Sequence, residues 1–251
     1  MKSKGFEKRT ETFNIRNMRI FLIRHGQPEQ HSGKVFLGQV DVPLSETGRL
    51  EAAGAADKLL AYGACPKRIY TSDLSRAKET ADIIAERLGG LPVAPDKLLR
   101  EMAMGTWDGE LIEDIKAKFP EEYAKRGDDL RNYRIPGGEN FYDLKGRVTR
   151  EFYRIFTEDF LYSDSCKGKY SALADSGDRD LIGNRGGNGN QNGNFDGPGD
   201  LVIVAHLGVL NVLTEELAAG ANAGLSWQHF ATGSVVKIEP PDWLWAGQDA
   251  E

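Results

Sequence analysis

Apolar residues along this chain fall into two kinds of run, and their alternation predicts an α/β fold. Met18-Arg19-Ile20-Phe21-Leu22-Ile23 and Leu201-Val202-Ile203-Val204-Ala205 are apolar runs without polar alternation. That is the pattern of strands covered on both faces in a mostly parallel sheet. Further strands are predicted over residues 67–71, 92–99 and 234–239. Between them the apolar positions take helical spacing. Ser45 suits the N-cap of a helix running to about Ala61, with Gly63 just past its end. Leu74, Ala77, Ala81, Ile84 and Leu88 form one stripe on a helix that should begin near Ser72 or Asp73 and close at Gly89-Gly90. A helical stretch over 111–125 is expected to bend or restart at Pro120. Pro136-Gly137-Gly138 should turn the chain into a long helix, about 140–160. Asn140 and Asp143 stand there in the capping-box arrangement, a carboxylate replacing the usual glutamate or glutamine. A final helix is predicted over 209–218. Strands alternating with helices in this order predict a three-layer α/β/α domain with a mostly parallel central sheet.

One segment breaks the alternation. From Gly183 to Gly199, twelve of seventeen residues are Gly or Asn, too little apolar surface to offset the entropy of ordering them. The expected organisation is a basic N-terminal tail (1–17), one domain (18–240) carrying a flexible insertion at about 163–199, and a short C-terminal tail (241–251). A phosphate-cradling Gly-rich loop would follow a strand and open a helix. This segment precedes a strand, which favours an insertion.

Composition narrows the partners. The chain has 251 residues, 40% of them hydrophobic, and a net charge of −6. That is enough core for one sizeable domain, and the wrong sign for nucleic acid or an anionic membrane as main partner. Cys65 and Cys166 are too few and too far apart for a disulfide framework or a zinc site. No apolar stretch reaches membrane-spanning length, and no signal-peptide core is present. A cytoplasmic protein is expected.

Chemistry on open α/β sheets sits at the carboxyl ends of the strands. The first strand runs directly into Arg24-His25-Gly26, and the late strand into Ala205-His206-Leu207-Gly208. Ser72-Asp73-Leu74-Ser75-Arg76-Ala77 and Leu99-Arg100-Glu101 follow two of the others. Two arginines, two histidines and a carboxylic acid are the parts needed for phosphoryl transfer without a metal or other cofactor. A neutral imidazole can act as nucleophile near pH 7. The guanidinium fork suits phosphoryl oxygens. Each residue taken alone has an ordinary structural explanation; the ordered set does not.

These motifs, together with Gly38-Gln39, Asp41, Pro43-Leu44-Ser45, Gly48, Thr80-Ala81 and Pro136-Gly137-Gly138-Glu139, resemble the histidine phosphatase (phosphoglycerate mutase-like) superfamily. The resemblance covers roughly residues 18–239 outside the insertion. It implies that His25 attacks phosphorus to form a phosphohistidine while its other ring nitrogen donates to a backbone carbonyl. It also implies that Arg24, Arg76 and His206 hold the phosphoryl oxygens, and that Glu101 acts as acid and then base. For the first task Glu101 must carry its proton, which places the expected activity at acidic to neutral pH. Gly38 joins the expected phosphate contacts. His31 stands where the family often has Asn, so His31 or Gln30 is left to make that contact. Leu207 stands where Gly or Asn often follows the second histidine, and its backbone N–H remains a phosphate donor. Glu139 is explained equally by helix-start electrostatics and by substrate contact.

Leu99-Arg100-Glu101-Met102 with Gly105, Trp107 and Gly109 looks most like the alpha-ribazole phosphatase branch and related broad-specificity phosphatases. Mutases of the family usually carry an Arg-His-Tyr-Gly run after the acid, where this chain has Met102-Ala103-Met104-Gly105. The expected partner is a small phosphate ester. The alternatives are mutase-type transfer, a phosphopeptide phosphatase, and a non-catalytic phosphate-binding or regulatory module.

Overall fold

The doubly apolar runs lie side by side at the centre of the sheet. The computed structural model describes residues 18–29, 33–158, 199–218, 227–241 and 244. The predicted N-terminal tail, Gln30, His31, Cys166, the insertion up to Pro198 and most of the C-terminal tail lie outside the described residues. Strands β1 (Ile20–Arg24), β2 (Pro66–Ser72), β3 (Val93–Asp96), β4 (Asp200–Ala205) and β5 (Val235–Ile238) form one sheet in the order β3-β2-β4-β1-β5. β1 runs parallel to β4, with Ile20 opposite Leu201 and Arg24 opposite Ala205; β5 is antiparallel to β1 at the edge.

Helices α1 (Glu46–Ala61) and α2 (Ser75–Arg87) cover one face, and α5 (Phe141–Phe156) and α6 (Leu207–Ala218) the other. The central strands alternate between these layers. Phe21, Ile23, Val202 and Val204 pack with Ala55, Leu59, Ala77 and Ile84 of α1 and α2. Ile20, Leu22, Leu201 and Ile203 pack with Leu144, Val148, Phe152 and Leu210 of α5 and α6. This is why both runs lack polar alternation. Two short helices, α3 (Ile112–Lys118) and α4 (Pro120–Asp128), belong to a smaller cluster around Trp107, Ile115 and Ile135.

Helix starts follow the capping chemistry. Ser45 accepts from the Gly48 N–H at 3.1 Å, and Asn140 and Asp143 bond reciprocally at 2.9 Å. The stretch after Leu111 is two helices, because Pro120 supplies the first residue of α4 and cannot donate into α3. α2 begins later than expected, at Ser75, and Asp73 instead pairs with Arg100 through two 2.6 Å contacts. β3 ends at Asp96, where its carboxylate caps a 3-10 turn over 97–99 by accepting from Leu98 N–H at 2.7 Å. α6 begins two residues before the expected start, at Leu207, so His206 stands immediately ahead of it. Among the described residues no helix is long and apolar enough to cross a membrane.

Candidate active site

The carboxyl ends of β1 and β4 bring the two histidines together. The backbone N–H of His25 donates to Ala205 O at 2.9 Å, extending the β1–β4 ladder one residue past β1. The rings lie 5.0 Å apart, tilted by 58°, and both residues are buried. His25 Nδ1 is 2.7 Å from Gly26 O, which can only accept. Nδ1 therefore carries the hydrogen and Nε2 keeps its lone pair. Burial, with the positive Arg76 and Arg24 adding to it, lowers the His25 pKa to about 3. Gly26 is held in turn, its N–H donating to Thr80 Oγ1 at 3.0 Å. A Cβ on Gly26 would stand 2.2 Å from Gly48 O, so α1 can approach only because both positions are glycine.

Arg76 arrives from the first turn of α2 and is almost fully buried. Its Nη1 donates to Val40 O and its Nη2 to Gly38 O, each at 2.8 Å. Arg24 donates from Nη1 to Phe230 O. Both guanidinium pKa values are lowered by burial, against the pull of the Glu101 carboxylate on each. Arg24 Nε, Arg76 Nε and both ring nitrogens of His206 are buried without a hydrogen-bond partner among the described residues. Such an atom ordinarily costs roughly 1–3 kcal/mol, so their gathering from three elements marks a place built for a ligand. His206 is pushed well below its ordinary pKa by burial, then by Arg76 and His25. It is therefore neutral in the free protein and offers an N–H rather than a positive charge.

The carboxylate of Glu101 accepts from Met102 N–H at 2.9 Å and from Gly208 N–H at 3.1 and 3.2 Å. A Cβ on Gly208 would lie 2.3 Å from Glu101 Oε1, so the start of α6 positions this carboxylate. Gly38 has φ +43° and its carbonyl is occupied by Arg76. A Cβ there would meet Asp108 Oδ1 at 1.8 Å. Leu207 opens α6 beside Gly208. Glu139 is ion-paired with Arg147, and that pair holds the Glu101 segment. Gly208 lies within the Ala205-His206-Leu207-Gly208 motif but carries no chemical group that would mark it, and nothing near Arg147 in sequence marks that residue.

The histidine phosphatase superfamily (branch 1) profile matches residues 20–159. Phosphoglycerate mutase-like protein 4 of Arabidopsis thaliana is 33% identical over 150 residues, 59% of this chain and 65% of that protein. Glucosyl-3-phosphoglycerate phosphatase of Mycolicibacterium vanbaalenii is 35% identical over 144 residues, 57% of this chain and 62% of that protein. These matches span less than two thirds of the relatives' own length. The solved structure of a mycobacterial glucosyl-3-phosphoglycerate phosphatase with VO3 superposes with a TM-score of 0.63 at 26% identity, covering 88% of this chain and 90% of that one. With more than half of its length matched by the family profile, and with β1, α2, β3 and α5 inside that match, the chain belongs to the histidine phosphatase superfamily, branch 1.

Proposed function

We propose that this protein is a metal-independent phosphomonoester hydrolase acting on a small phosphorylated metabolite through a phosphohistidine at His25. The observation that carries the reading is a buried, neutral His25 with Nε2 left as a lone pair, in a site that also holds unpartnered Arg24, Arg76 and His206 nitrogens. Nε2 attacks phosphorus, and the Nε2–P bond forms as the ester P–O bond breaks. Glu101 gives its proton to the departing alkoxide. Water then attacks the phosphohistidine and passes its proton to the Glu101 carboxylate. As the Nε2–P bond breaks, phosphate leaves and His25 is neutral again. Arg24, Arg76 and the N–H of His206 hold the non-bridging oxygens, where preorganised donors are each worth roughly 10²–10³ in rate. The backbone at Gly38 and Leu207, and the side chain of either His31 or Gln30, complete the proposed phosphate contacts.

Two features support hydrolysis over mutase transfer. Met102-Ala103-Met104-Gly105 stands where a mutase-like run would follow the acid, and one relative is named as a phosphatase. The same reading includes a cytoplasmic location and no nucleic-acid or membrane partner. Alpha-ribazole 5'-phosphate remains the candidate from the sequence, and the named relative adds glucosyl-3-phosphoglycerate. The test is phosphate release in EDTA across p-nitrophenyl phosphate, alpha-ribazole phosphate, glucosyl-3-phosphoglycerate, 3-phosphoglycerate, sugar phosphates and a phosphotyrosine peptide. Turnover that survives EDTA, with a small ester preferred, is expected. Silence from folded protein overturns the hydrolase, and preference for the peptide overturns the substrate class.

A further inference from the structure

A single ion pair holds the main chain on both sides of the proposed acid. Arg147, on the second turn of α5, places every guanidinium N–H. Its Nε donates to Glu139 Oε1 at 2.7 Å and its Nη2 to Glu139 Oε2 at 2.8 Å. Nη1 donates to Leu98 O at 2.9 Å and to Arg100 O at 2.8 Å, and Nη2 to Glu101 O at 2.8 Å. That is the full set of five donors an arginine has. Glu139 carries the grip past the acid. Its Oε2 accepts from Ala103 N–H at 3.0 Å, and its own N–H donates to Ala103 O at 2.9 Å. Residues 98, 100, 101 and 103 are thus tied to one pair whose side chains are 12% and 20% exposed. The Glu101 carbonyl also accepts from Gln39 Nε2 at 3.1 Å.

The Glu101 side chain is aimed by two N–H groups, Met102 on its own segment and Gly208 at the start of α6. It can meet both only while the 98–103 segment keeps its distance from α6. α5 packs against α6, so a clamp from α5 fixes that distance. We infer that Arg147, with Glu139, is a positioning residue that sets Glu101 for proton transfer to the leaving group without touching substrate. This rests on the acid role proposed for Glu101. Lysine could keep a charge opposite Glu139, but a point charge cannot hold three carbonyls and both carboxylate oxygens.

A misplaced acid has a signature that general loosening lacks, because the need for a proton grows as the leaving group worsens. The test compares kcat/KM, which reports the steps through departure of the alcohol, on p-nitrophenyl phosphate and on phenyl phosphate, the poorer leaving group. Variants are R147K, E139Q and, as reference, E101Q, each checked for a folded state by thermal unfolding. In R147K and E139Q the ratio of kcat/KM for p-nitrophenyl over phenyl phosphate should rise roughly tenfold or more, in the direction of E101Q. A raised ratio in E101Q with an unchanged ratio in both clamp variants overturns the positioning role alone. An unchanged ratio in E101Q overturns the acid assignment and this inference with it.

Discussion

The protonation of His25 and His206 is where this site departs most from exposed imidazole chemistry. Burial and the neighbouring guanidiniums hold His25 near 3, and His206 is displaced in the same direction. In the proposed nucleophilic role, a His25 kept neutral far below the ordinary imidazole range stays competent in acid. Nothing in the residues around His206 marks it as neutral, because its protonation is set by the folded surroundings. Its state is set first by full burial and then by Arg76, His25, Arg147 and Arg24, all remote in sequence. In a ring-proton NMR titration of the free protein, His25 and His206 should show no titration between pH 7 and 5. A midpoint near the free-imidazole value for either would contradict this electrostatic picture.

At the scale of elements, the start of α6 separates fold from chemistry. Alanine favours a helix by about 1 kcal/mol over glycine, so G208A should leave the thermal midpoint unchanged or raised. The added Cβ would nevertheless sit 2.3 Å from Glu101 Oε1 and 3.0 Å from Leu144 Cδ2, both ends of side chains that can move. Displacing the acid should lower kcat/KM by about 10²-fold. Wild-type turnover in a folded G208A protein would remove Gly208 from the site. The opposite separation is expected at Gly48, where a Cβ would meet Gln27 O at 2.1 Å. Backbone cannot yield there as a side chain can, so G48A should lower the unfolding midpoint itself.

These elements also show what can be read from sequence. β1 and β4 were legible because burial on both faces leaves no polar alternation, and α1 and α5 because their caps are local chemistry. The early start of α6 was not, since Leu207-Gly208 has no capping signature and glycine reads as a break. Nor was the Arg147 clamp, whose carbonyl partners lie 46 to 49 residues earlier and become neighbours only after α5 packs. Among the residues singled out as a site, Arg24, His25, Arg76, Glu101 and His206 converge. His31 lies outside the described residues.

For the molecule as a whole, two neutral histidines tie stability to pH. A folded pKa lowered below the unfolded 6.5 means the unfolded chain takes up the proton first. The stability is therefore fully present above pH 6.5 and lost as pH falls toward about 3. From His25 alone the loss between pH 7 and 5 is about 2 kcal/mol. Chemical denaturation of wild type and H25Q at both pH values isolates it, because every other titrating group is common to both proteins. Wild type should lose about 2 kcal/mol more than H25Q; equal losses would show that His25 is not held neutral by the fold. The role proposed for His25 as carrier of the phosphoryl group is tested by mixing the protein with a labelled phosphomonoester that it turns over, quenching in alkali, and locating the label by peptide mass spectrometry. Acid-labile phosphate on His25, absent in H25A, is the predicted result. Turnover with label on another residue, or undiminished turnover by H25A, would contradict it.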